Sequence, residues 1–263
     1  LALRAGAAPG VGGFVTIFGE LLRSFLRAVN PHEFSVAGLF DLSSTPALAR
    51  LAPEALELFP FEAPQALAID PGGAESMSQT LDALRLFLAR LSTRKPLIVV
   101  FEDAHWLESK SWEAIAALTR TLLPYPAMFV VTLRHAELDA DADRVYTTLL
   151  RQTRVERLRL SALRPLETRR LIEGVFGPDI ADAIAVDVHS ATGGNPLFIH
   201  ETVTALVERR LIEYERSKEG WRQVVDISGR LPTPDSATHI ITERLSTFSE
   251  TEARALAAAS LLG

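Results

Sequence analysis

Residues 97–101, Leu-Ile-Val-Val-Phe, form an unbroken apolar run that stops on two adjacent carboxylates, Glu102 and Asp103. No other stretch constrains the fold as tightly. A short run rich in β-branched residues, apolar without alternation, reads as a strand covered on both faces of a parallel sheet. Residues 128–133 have the same character. Between the two runs Trp112, Ile115, Leu118 and Leu122 recur at helical spacing. Met77, Leu81, Leu84, Leu88 and Leu91 mark a helix before the first run. Strand, helix, strand in this order predicts a βαβ unit and an α/β fold with a parallel sheet. Val155, Leu158 and Leu160 suggest a third, more polar strand.

Elsewhere the pattern is mixed. Residues 1–3 read as the tail of a strand, followed by a loop over 6–13 rich in Gly, Ala and Pro. Phe18, Leu21, Leu22, Phe25 and Leu26 then predict an amphipathic helix. Residues 30–75 are irregular, with Pro31, Pro46, Pro53, Pro60, Pro64 and Pro71 breaking any long helix. Residues 47–58 still read as two short helical pieces around Pro53. From residue 161 the pattern turns helical, over 163–176, 180–191 and 196–211. Residues 211–215 and 221–225 read as a hairpin, and 237–245 and 251–262 as two further helices. Both ends of the chain read as cuts.

Composition narrows the function classes. With 263 residues, 48% of them hydrophobic, the chain can bury a large domain or one domain plus part of another. A net charge of -6 gives no global pull toward nucleic acid. Cysteine is absent, so no disulfide framework and no thiolate metal site can form. That fits a reducing compartment, and a cytoplasmic location is expected. The apolar runs are far too short to span a membrane. No His-Glu-x-x-His helix and no paired Ser–His hydrolase arrangement is present. Arg151, Arg154, Arg157 and Arg159 are interrupted by Glu156 and read as a solvated face.

Three motifs carry chemistry. Ligands of open parallel sheets bind at the carboxyl ends of the strands, where Glu102 and Asp103 fall. Mg²⁺ takes one or two carboxylates together with phosphate oxygens, and a neighbouring carboxylate can orient or deprotonate a water. A solvated acidic turn is the plain alternative. Thr132 and Arg134 end the next strand, and the Arg fork suits a γ-phosphate. His105 and Trp106 read as packing and orientation, His135 as surface. Gly193-Gly194-Asn195-Pro196 opens a helix. Asn at the N-cap and Pro at the first position explain that start without any ligand, though a helix N-terminus also favours anions.

Taken together, the string from Ile98 through Glu102-Asp103-Ala104-His105-Trp106, then Thr132-Leu133-Arg134, then Gly194-Asn195-Pro196-Leu197-Phe198, resembles the STAND class of AAA+ ATPases. The likeness is to the bacterial group fused to LuxR-type regulators, adenylate cyclases or Ser/Thr kinases. The resemblance implies a P-loop NTPase (AAA+/ASCE) core over 1–160 with Walker B and sensor 1 motifs. It also implies a helical lid over 161–211 and the start of a winged-helix-like domain over 212–263. It implies ATP and Mg²⁺ as cofactors, with Glu102 and Asp103 at the metal, Asp103 polarising the water and Arg134 reading the γ-phosphate. Thr132, Gly194, Asn195 and Pro196 would lie on the nucleotide side, Pro196 and its neighbours against the adenine. The function implied is an ATP-driven regulatory switch with a fused helix-turn-helix, cyclase or kinase effector. Nucleotide-dependent self-association stays open, and no direct nucleic-acid or membrane contact is expected. A DNA-handling AAA+ protein of the replication-initiator type and a non-hydrolysing interaction scaffold are the alternatives.

The phosphate-binding loop is the missing part. Such a loop needs glycines followed by Lys and Ser or Thr. In Pro9-Gly10-Val11-Gly12-Gly13-Phe14, Gly13 and Phe14 stand where those residues would be. The segment is expected to follow the family's second strand, with the true loop and first strand upstream of Leu1. That first strand would sit between 128–133 and 155–160, so its absence predicts two exposed strand edges and poor solubility or partial unfolding of this chain alone. ATPase activity is therefore an expectation for the full-length protein, and inactivity for this segment alone.

Overall fold

The structure is a computed structural model that describes residues 1–29, 39, 45–54, 74–151, 154–215, 220–224, 231 and 248–262. The chain divides into two compact units, Leu1–Arg157 and Leu158–Gly263.

The first unit runs β1 (Ala2–Gly6), α1 (Phe14–Ala28), α2 (Thr45–Leu51), α3 (Ala74–Arg94), β2 (Leu97–Glu102), α4 (Ser109–Thr121), β3 (Ala127–Val131) and α5 (Ala140–Leu150). The three strands form a parallel sheet in the order β1-β2-β3, with Ala5 opposite Phe101 and Phe101 opposite Val131. Helix α1 forms because Phe14, Ile17, Phe18, Leu21, Leu22 and Phe25 fall on one stripe, and all of them are buried. Phe18 meets Phe101 edge-on at 5.8 Å between ring centroids, and Phe25 meets Phe87 at 5.0 Å. Trp112 of α4 is wholly buried in the same core.

The expectation of a sheet covered on both faces is corrected. Leu97, Val99 and Phe101 of β2 are buried, while Ile98 is 41% exposed and Met128 of β3 is 60% exposed. The described helices supply a core to one face only, so alternate residues of the apolar run 97–101 have different surroundings.

The two edges of the sheet also differ. On β1 the outward N–H groups of Arg4 and Gly6 donate to Ser24 Oγ (2.9 Å) and Glu20 Oε2 (3.0 Å) of α1. Helix α1 thus closes that edge with side chains. At β3 the N–H of Thr132 donates to the Phe101 carbonyl, and the Thr132 carbonyl accepts from Ala104. By the period of two, Phe129 and Val131 face away from β2, and no strand lies alongside them among the described residues. The strand expected over residues 155–160 is a second correction. Residues 155–160 are irregular, with Leu158 81% and Leu160 95% exposed. A strand needs a neighbour to satisfy its backbone, and no described strand pairs with this segment.

The second unit contains α6 (Pro165–Phe176), α7 (Pro178–Thr192), α8 (Pro196–Glu208), the antiparallel hairpin β4 (Ile212–Glu215) and β5 (Gly220–Gln223), and α9 (Glu250–Leu262). The expected helices and hairpin form here, shifted by a few residues. Ile172, Phe176, Ile184, Val188, Ile199, Leu206 and Ile212 make its core, and Phe176 packs edge-on to Trp221 of the hairpin at 4.8 Å. The expected helix over 237–245 lies outside the described residues.

Candidate functional site

Because the three strands are parallel, their carboxyl ends share one edge of the sheet. There β2 delivers Glu102, exposed, and then Asp103. Asp103 takes a left-handed conformation, φ 52° and ψ 39°. Asp tolerates this region better than most residues, and departures of this kind gather at functional sites. The turn is clamped by β3: the Asp103 N–H donates to Thr132 Oγ1 (3.2 Å) and the Ala104 N–H to the Thr132 carbonyl (2.9 Å). The Trp112 indole N–H of α4 donates to the Ala104 carbonyl (3.1 Å) from the core side. The Asp103 side chain itself remains 60% exposed.

His105 follows in a short 3-10 turn, and its side chain is 1% exposed. Its Nδ1 accepts the Arg134 backbone N–H at 3.5 Å and lies 4.0 Å from Asp103 Oδ1. With Nδ1 turned to that N–H, Nε2 is the ring nitrogen left to face Glu137. Nε2 stands 3.2 Å from Glu137 Oε2, without the alignment of a hydrogen bond. The other Glu137 oxygen accepts from Arg134 Nη1 at 3.0 Å. This bond, then the charge of Glu137, and more weakly the charge of Asp103, raise the Arg134 pKa above its ordinary value. His105 is thus buried packing, as expected, and also a link between the acidic turn and the end of β3. His135 is exposed at 48%, beside Asp143. Glu137 was not singled out in the sequence. Its only sequence signal is the Arg-x-x-Glu spacing just beyond a strand, which a short turn converts into a contact.

The glycine-rich stretch after β1 has a different use. The Gly12 carbonyl accepts from the Glu108 N–H (3.1 Å) and from the buried Ser111 hydroxyl (2.9 Å). A Cβ on Gly12 would run into the Trp106 carbonyl. The glycine is there because two backbone segments pass too closely for a side chain. The loop supports the acidic turn from beside it.

Thr132 and Arg134 lie with Glu102 and Asp103 in the first unit. Gly194, Asn195 and Pro196 belong to the second. Gly193 (φ 59°) ends α7 in the left-handed conformation, and Gly194 (φ 74°) gives its carbonyl to the Leu163 N–H at 2.8 Å. A Cβ on Gly194 would meet the Leu163 carbonyl. Asn195 caps α8, its Oδ1 accepting from the Leu197 N–H at 3.0 Å, with Pro196 at the first helical position. The local fold accounts for each of these residues.

The donor set at the acidic turn suits Mg²⁺. Glu102 and Asp103 offer two exposed carboxylates, and no cluster of three or more metal-binding side chains occurs among the described residues. A hard cation held partly by phosphate oxygens and waters asks for no more from the protein.

Residues 6–131 match the family model of the AAA ATPase domain. The match supports an AAA-type ATPase domain, of the nucleotide-binding kind, with an α/β P-loop-like core in the first unit. It takes in Glu102 and Asp103 and stops one residue before Thr132. Residues 163–218 match a domain of unknown function (DUF8739). The chain is similar to "Uncharacterized protein R02095" of Rhizobium meliloti (strain 1021), with 32% identity over 126 residues. That alignment covers 45% of this chain and 11% of the relative, so the chain spans a small part of the protein it matches. No solved structure matches significantly. No helix among the described residues is long and apolar enough to cross a membrane.

Proposed function

We propose that this chain holds the ATP-hydrolysing core of a STAND-type regulatory switch. The observation that carries the reading is the grouping of Glu102, Asp103, Thr132 and Arg134 at the carboxyl ends of two adjacent parallel strands, with Asp103 bonded to Thr132. Glu102 and Asp103 would hold Mg²⁺, which would supply neutralisation of the phosphate charge. Asp103, fixed in its left-handed turn, orients the attacking water, and Thr132 holds that turn in place. Arg134 projects into solvent beyond β3 and binds the γ-phosphate. Residues 1–160 serve as the core, 161–211 as a helical lid and 212–263 as the start of a winged-helix-like domain. Gly194, Asn195 and Pro196 would lie on the nucleotide side. A fused effector domain and a cytoplasmic setting complete the reading.

In this reading the phosphate-binding loop lies outside residues 6–13, and the close packing of Gly12 against the Trp106 carbonyl supports that. The same observation favours one second reading, a scaffold that binds nucleotide weakly or not at all. Titration of the full-length protein with MgATP separates the two. In the switch reading ATP binds, and Asp103→Asn still binds it while turnover falls about 10²-fold or more. A full-length protein that ignores ATP leaves the scaffold.

A further inference from the structure

Glu137 sits between two groups of the proposed site. One carboxylate oxygen holds Arg134 Nη1 at 3.0 Å, and the other lies 3.2 Å from His105 Nε2. The two partners differ in character. Arg134 is 69% exposed, so its pair with Glu137 is a weak, solvent-screened one that a more highly charged anion can displace. His105 is buried and its Nε2 has no aligned partner. Glu137 therefore has a second donor within reach that a side-chain rotation alone can engage. His105 in turn touches both ends of the site, through Arg134 N–H and toward Asp103 Oδ1.

We infer that Glu137 is a positioning residue: it holds the Arg134 guanidinium at the end of β3, releases it to an arriving γ-phosphate, and turns its carboxylate onto His105 Nε2. This rests on the ATP-switch reading above. The raised pKa of Arg134 accords with the Glu137 pairing. The exchange makes Glu137 a competitor of the γ-phosphate and of nothing else on the nucleotide. Its removal therefore favours ATP and leaves ADP alone.

The test uses the full-length protein and Glu137→Gln, which keeps the shape and removes the charge. Without nucleotide, phenylglyoxal labelling of Arg134, read by peptide mass spectrometry, rises about two- to fivefold, the size of an exposed ion pair. Arg144, paired with Asp141 at 3.0 Å, is the internal control and stays unchanged. In calorimetry with Mg²⁺, ATP binds tighter by about the same factor, ADP binding does not move, and Arg134→Ala erases the difference. Unchanged labelling, or equal shifts for ATP and ADP, overturns the role of Glu137 while the wild-type preference for ATP leaves the switch intact. If Arg134→Ala alone leaves that preference untouched, the γ-phosphate role of Arg134 falls and the exchange falls with it.

Discussion

The sheet of the first unit has a covered face and an open one, built from alternate residues of the same strands. Leu97, Val99 and Phe101 lie against the packed helices, and Ile98 and Met128 face outward. Side-chain chemistry does not separate the two sets, since both are apolar. What separates them is the neighbour each face receives. The edges repeat the contrast, β1 closed by Ser24 and Glu20 and β3 bare of any described strand. Burial is thus a property of the surroundings that a residue type invites but does not guarantee. An outward apolar face and an edge with no described strand beside it are also aggregation hazards.

The largest effect belongs to the covered face. Trp112→Ala removes a wholly buried indole and leaves the Ala104 carbonyl without its donor. It is expected to destabilise by about 3–5 kcal/mol in denaturant titration. The closed edge comes next: Ser24→Ala leaves the Arg4 N–H without its partner, at roughly 1 kcal/mol by the same titration. The open face comes last. Met128→Lys is expected to change stability by no more than about 0.5 kcal/mol while improving solubility. If Met128→Lys instead rivals Trp112→Ala, the outer face is covered in solution and the contrast collapses.

The sequence made the elements legible where apolar period and length agreed, as in β2, β3, α1, α3, α4 and the helices and hairpin of the second unit. The acidic pair was legible because two charges directly after an apolar run stand out. Helix α5 was not singled out. Its buried residues are Ala142, Tyr146 and Leu149, with Val145 and Leu150 partly buried against the core, interspersed with several charges, and Asp139 sets its start as an N-cap. The strand over 155–160 misled because Val155, Leu158 and Leu160 are apolar residues set among charges, with Leu158 and Leu160 at strand spacing, while pairing depends on a neighbour. The part played by Gly12 was hidden because a close backbone approach leaves no mark beyond the glycine itself. Glu137 was hidden because its two contacts depend on the fold of a short turn.

The acidic turn also bears on optical work. Trp106, in the turn, is 42% exposed, while Trp112, bonded to the same turn from below, is wholly buried. One indole emits from a wet environment and the other from a dry one, a few residues apart. The first unit therefore carries an exposed and a buried indole on the same turn, and with Trp221 of the second unit replaced, their emission would report on that turn without an attached dye.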